Sequence, residues 1–322
     1  MLTAACLSDL LQCTNSFPIK QSPGPDGGGF PRWALSINGV FVFIDVKTNV
    51  MKRPAYPSLI LSVLLLGPFV LMAQKPTVPP SNAQELADKL SNPVANMISV
   101  PFQNNSDWGI GAHRGSKNTL NFQPVMPIKL NANLNLIARL VLPFVSQRNI
   151  TDAATTQVGL SDATLTGFFA PARPKNGLIW GAGPALLIPT ATNDYLGTKK
   201  FGVGPSALVL KQGKGLTIGF LANQIWSVAG DKNRANVNQL FLQPFFAHSF
   251  PSGASLGGNM ELTQNWNTGT SLLFFNPTVS GITKLGKQAV QMAIGPRFAV
   301  WGPGESKPAF GIRSVLIFVF SQ

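Results

Sequence analysis

Histidine is the side chain most often found as a general base, and this chain has two, His113 and His248. His248 is followed directly by Ser249. Neighbours on a strand point to opposite faces, so these two do not make a base and its nucleophile. His113 lies in a Gly- and Arg-containing stretch close to Ser116, with no nucleophile elbow and no His-x-x-His spacing around it. Both histidines are expected to be solvent-exposed or lumen-facing polar residues. Metal ligation fares no better: the acids are scattered, and both cysteines, Cys6 and Cys13, fall in the first 50 residues, outside the expected mature chain. The recurring Gly-x-Gly-Pro phrases neither open a helical pattern nor precede Lys-Ser/Thr, so they are not dinucleotide or phosphate-loop fingerprints. The sequence predicts no catalytic residue, no metal, no cofactor and no enzyme.

A different set of polar residues is spaced to act together. Asn121, Gln123, Asn135, Arg139, Asn223, Gln239, Glu261, Asn265 and Arg297 each fall on the polar parity of an apolar–polar alternation. On the wall of a water-filled lumen they would hydrate solutes and select weakly by charge, because an ionisable group on the lipid face costs about 2–4 kcal/mol at mid-depth. Bonded to one another, they would instead fill a closed interior. The sequence leaves both readings open.

The elements that must carry this set are strands. Leu216, Ile218, Phe220 and Ala222 oppose Thr217, Gly219 and Asn223; Leu256, Met260, Leu262 and Trp266 oppose Asn259, Glu261, Thr263 and Asn265. Between Asn133 and Leu142 the leucines share one face, and Ile137 and Val141 join the polar one. Such period-two patterns predict twelve strands, at 95–103, 118–128, 133–143, 158–170, 178–188, 200–210, 215–227, 236–248, 255–266, 270–281, 287–300 and 309–320. An even number of strands, each about ten residues long, fits a transmembrane antiparallel β-barrel, the all-β fold expected here. Tight turns are expected at Lys129–Asn131, Gln212–Lys214 and Asn267–Gly269, and longer loops at 147–157, 190–199, 229–235 and 302–308. A soluble β-sandwich would also alternate. The amide-rich polar face and the placement of Trp108, Trp180, Trp226, Trp266 and Trp301 near strand ends favour the barrel.

Composition and the N-terminal region point the same way. Met51-Lys-Arg53, the apolar run from Leu59 to Met72 and Ala73 have the order of a secretory signal peptide. Residues 1–50 are then expected to be a non-native upstream extension, 51–73 the signal peptide, 74–91 a flexible or short helical periplasmic leader with a helical hint over Asn82–Leu90, and 92–322 the barrel. Residues 74–322 contain 20 Lys and Arg against 9 Asp and Glu and no cysteine. That excludes a disulfide scaffold. The basic residues are scattered rather than clustered with aromatics, so nucleic acid is not an expected partner.

Several phrases resemble a known family: Asn92-Pro-Val-Ala-Asn-Met-Ile-Ser-Val-Pro-Phe-Gln-Asn-Asn105, Trp180-Gly-Ala-Gly-Pro184, Ala222-Asn-Gln-Ile-Trp-Ser-Val-Ala-Gly-Asp231 and Gln243-Pro-Phe245 among them. They are similar to a group of exported bacterial proteins related to the outer-membrane barrels of the meta-pathway of phenol degradation, over residues 92 to 320. The resemblance implies a channel or transporter for small organic solutes in the outer membrane of a Gram-negative bacterium. Its implied partners are the lipid bilayer, the barrel-insertion machinery and the solutes. The alternatives are a non-conducting structural or surface-binding barrel and a soluble periplasmic β-rich binding protein.

Overall fold

The alternating segments become strands of one continuous antiparallel sheet in the computed structural model, which describes residues 33–37, 40–44 and 80–320 apart from 94, 96, 174 and 287. Residues 51–73, read as a signal peptide, lie outside the described residues. In the N-terminal unit, β1 (Trp33–Ile37) and β2 (Val40–Ile44) form an antiparallel pair.

The first described element of the remaining unit is a helix, α1 (Pro80–Leu90), where the sequence hinted at one. Ala83 and Ala87 recur at helical spacing on one face and are fully buried. Glu85 and Lys89 pair at 2.7 Å on the exposed face. The helix closes where the Ser91 amide and hydroxyl both donate to the Ala87 carbonyl, with Pro93 just beyond.

The strands follow as β3 (Ile98–Ile110), β4 (Gly115–Phe122), β5 (Val125–Lys129), β6 (Leu134–Arg148), β7 (Thr156–Leu160), β8 (Ala163–Pro171), β9 (Leu178–Ile188) and β10 (Lys200–Gly213). Then come β11 (Leu216–Gly230), β12 (Asn238–Ser249), β13 (Ser255–Asn265), β14 (Thr270–Leu285), β15 (Gln288–Trp301) and β16 (Phe310–Phe320). The strands β4 and β5 are halves of one pass, as are β7 and β8, so the sheet makes twelve passes. It closes where β16 pairs β3, from Phe310 opposite Trp108 to Phe320 opposite Ile98. Closure leaves no free edge, and a two-sheet sandwich is not what forms.

Register assigns the faces. Arg313, Gly295 and Asn105 share one side, as do Asn223, Ser206 and Gly183. This is the inside. Outward residues are apolar and exposed, including Trp180, Val209, Ile218, Phe220, Phe246, Leu256, Val279 and Phe298. A continuous apolar belt of that kind is foreign to a water-soluble surface. It carries a polar patch where Asn104 and Asn118 both donate to Ser106 Oγ.

That patch explains the largest strand error. The first strand is expected to stop at 103 but runs to Ile110. Its outward residues Asn104 and Ser106 are polar, so the alternation fades while the strand continues.

Prolines sit within the strands without ending them. Pairing skips past Pro184 and Pro205, and past Pro244, Pro277 and Pro296, in the ladders they cannot join as donors. The preceding glycines show why Gly-Pro recurs. A Cβ on Gly204 would stand 1.8 Å from the Gln224 carbonyl oxygen, and one on Gly295 1.8 Å from that of Pro277.

The two ends of the barrel differ. Chain entry, chain exit and the shorter turns share one end. The longer loops share the other, and Asn267–Gly269 lies there too, so this tight turn belongs with the long loops. Four of the five girdle tryptophans stand at the long-loop end and Trp180 at the other. Trp108 stacks on Phe310 at 5.9 Å, and Trp266 Nε1 donates to Gln224 Oε1 at 3.0 Å. Amphipathic rings anchored in this way suit a water–lipid boundary.

Candidate functional site

Inside the barrel, one wall is apolar. Val125, Ile137, Phe168, Leu208, Leu210 and Leu221 form a cluster against Ile179, Phe241 and Phe245. Full burial of each such side chain stabilises by about 1.5–3 kcal/mol, so this half of the interior is packed rather than open.

The facing wall, built by β13 to β16 and β3, holds an ionic network. Glu261 Oε1 lies 2.8 Å from Arg313 Nη1, and its Oε2 accepts from Arg313 Nη2 at 2.9 Å and Arg297 Nη1 at 3.0 Å. Arg297 Nε reaches Asp107 Oδ1 at 3.2 Å, and its guanidinium lies 3.5 Å from the centre of the Phe274 ring. Amide oxygens accept further bonds: Asn276 from Arg297 at 2.9 Å, Asn105 from Arg313 at 2.8 Å and Asn259 from Arg313 at 3.2 Å. Asn276 Nδ2 in turn donates to Asn259 Oδ1 at 2.8 Å. Five adjacent strands are thereby tied on their inner face, and Lys117, directly across from Asp107 on β4, adds a third cation beside the two anions.

All nine residues of the polar set lie on inward parity or face the interior, but they divide into groups. Glu261 and Arg297 belong to the ionic network. Arg139 and Gln123 form a pair, with Arg139 Nη2 donating to Gln123 Oε1 at 2.9 Å. Asn121 and Asn135 are buried on the inner wall. Asn223 sits at the middle of β11, and Gln239 and Asn265 at the long-loop ends of β12 and β13; Asn265 Oδ1 accepts the Asn267 and Thr268 amides and so shapes the turn beyond it.

Sequence reasoning missed Arg313, Asp107 and Asn276. Arg313 is the one charge on β16, a strand notable for its apolar outward face, and Asp107 follows the point where alternation fades. Both show as inward once the strand register is extended.

At the short-turn end, α1 packs against the hairpin turns. Gln84 Nε2 donates to the Ser249 carbonyl at 3.1 Å, and Gln212 Nε2 donates to that of Asp88 at 2.5 Å. Gly253 has φ +82°, and a Cβ there would come within 2.9 Å of the Ala83 Cβ, so a small residue on each side allows the helix to seat. Beyond the helix, the connection to β3 roofs a cavity of about 110 Å³. Arg139, Gln123 and Gln243 face it together with Val125 and Ile317.

The long loops are held locally. Asp162 accepts the Ala191 amide at 3.3 Å and the Thr198 amide and hydroxyl, each at 2.6 Å, which shapes the 189–199 loop. An Asx turn is expected at Asp194 and at Asp231. Asp231 makes one with the Asn233 amide, whereas at the other site Asn193 does so with Tyr195. Asp194 pairs with Lys199 at 2.8 Å, and that ammonium holds its carboxyl below the usual carboxylate range.

His248 faces outward, edge-on to Phe250 at 4.7 Å, while Ser249 faces inward. His113 lies in a loop, 3.8 Å from Asp152.

No family model matches the chain, and no curated protein matches it. Solved structures do. A COG4313 outer membrane channel from Pseudomonas putida F1 is similar over 70% of this chain and 94% of its own, at 18% identity and a TM-score of 0.55. Outer membrane phospholipase A from Escherichia coli matches 76% of this chain and 99% of its own, at 10% identity and a TM-score of 0.40. A FadL homologue of Pseudomonas aeruginosa matches 71% and 91%, at 8% identity and a TM-score of 0.32. The first likeness shows the fold, that of an outer-membrane barrel; the other two carry no argument about this chain's chemistry. The expectation of no enzyme is withdrawn, since a phospholipase is among the matched barrels, and at that likeness the match assigns no activity to this chain.

Proposed function

We propose that this protein is an outer-membrane channel for small organic solutes, inserted with its long loops outside the cell and α1 at the periplasmic mouth. The observation that carries this reading is the closed twelve-pass barrel, with an apolar outer belt and polar or charged groups gathered inside. The lipid bilayer and the insertion machinery are then its partners, and residues 51–73 are the export signal. In this reading the inward polar residues line the solute path along the wall that faces the apolar cluster. The resemblance to the phenol-degradation group supports small organic cargo.

The test is electrical. Purified protein in planar bilayers should give discrete conductance steps. Folded protein that repeatedly inserts without conducting would overturn the channel reading and leave a structural or surface-binding barrel.

A further inference from the structure

Arginines inside this barrel are unequally matched. Arg297 and Arg313 share Glu261, and Arg297 also holds Asp107. Arg139 joins no ion pair among the described residues; its hydrogen-bond partner is the neutral Gln123 Oε1. The field of Glu261 reaches Arg139, but both Glu261 oxygens are already bonded to the other two arginines. An inward cation without a counter-ion is costly, and a bound anion would relieve that cost.

The space beside Arg139 suits such an anion. The cavity of about 110 Å³ under the α1–β3 connection is lined by Arg139, Gln123 and Gln243. Leu90, Pro93, Met97, Val125 and Ile317 supply aliphatic surface. Lys89 also borders the cavity, but Glu85 pairs with it at 2.7 Å. At roughly 10–15 Å³ per water-sized position, the volume holds on the order of eight such groups. One charged end, two amides and an aliphatic wall describe a short amphiphile, with a head that accepts a bidentate guanidinium.

We propose that this cavity is a binding subsite for a medium-chain aliphatic monocarboxylate, its carboxylate paired with Arg139 and its chain lying along Met97, Val125 and Ile317. The proposal deepens the channel reading by naming a solute class, and it rests on that reading only for the consequence that such acids pass through the barrel.

The experiment is equilibrium binding of hexanoate, with 1-hexanol as the neutral control, to the full chain in detergent micelles. Wild-type protein should bind hexanoate more tightly than hexanol. Arg139→Gln should weaken hexanoate binding at least tenfold and leave hexanol unchanged, and Arg139→Lys should recover part of the loss. Ala95→Trp places bulk in the cavity from outside the strands, so it tests the site even if the arginine variant does not fold; it should abolish hexanoate binding. Equal hexanoate binding in wild type, Arg139→Gln and Ala95→Trp, or preference for hexanol, would overturn the subsite. Conductance of the same preparation separates the two ideas. A conducting protein that binds no hexanoate overturns the subsite alone, while a hexanoate-binding protein that never conducts overturns the channel alone.

Discussion

Glu261 holds two guanidinium groups at once, and its removal would leave both in a low-dielectric interior. Breaking a buried pair by deleting one partner costs about 3–5 kcal/mol, so Glu261→Gln is expected to destabilise the barrel by that order. Urea unfolding in micelles, followed by tryptophan fluorescence, would show the midpoint falling; an unchanged midpoint would mean that the network contributes nothing net. Glu261 and Arg297 were legible as inward groups because their strands alternate cleanly. Their partners were not. Asp107 lies on a strand whose outward residues Asn104 and Ser106 are themselves polar. Whether Arg139 hydrates a lumen or plugs one was equally hidden, because alternation gives a residue's face and nothing about what stands across the barrel.

Each pass of the barrel is amphipathic, and the outward residues should behave as lipid-facing ones. Leu140 faces out, in register with Leu165, one residue from inward Arg139. Leu140→Arg is expected to cost about 2–4 kcal/mol of insertion free energy near mid-depth, seen as a lower folded fraction in lipid vesicles with folding in micelles retained. Loss in both media to the same degree would contradict a lipid-facing position. α1 is the second testable element. Deleting residues 80–90 removes the Gln84–Ser249 and Gln212–Asp88 contacts, and the single-channel conductance should rise several-fold. An unchanged conductance would mean that the helix does not obstruct the path. Strand positions were readable because period two survives even across Pro205 and Pro244, which interrupt single ladder bonds without ending a strand. The seat of α1 was not readable, since it depends on Gly253 and Ala83, far apart in sequence, meeting at a turn.

The whole molecule combines an apolar exterior, a closed ladder and an interior divided between a packed aliphatic wall and an ionic one. Closure was implied by the even strand count and long alternations; the division of the interior arises only when β6 to β12 and β13 to β3 are brought opposite each other. Such a barrel keeps its hydrogen-bonded sheet in detergent until heated, because every interior strand is bonded on both sides. The measurement that bears most directly on a membrane barrel is fractionation of cells expressing the full chain, with the recovered protein run unheated and heated on a detergent gel. It should sediment with the outer membrane and shift in mobility on boiling. Recovery as a soluble periplasmic monomer with no heat-dependent shift would contradict the membrane barrel.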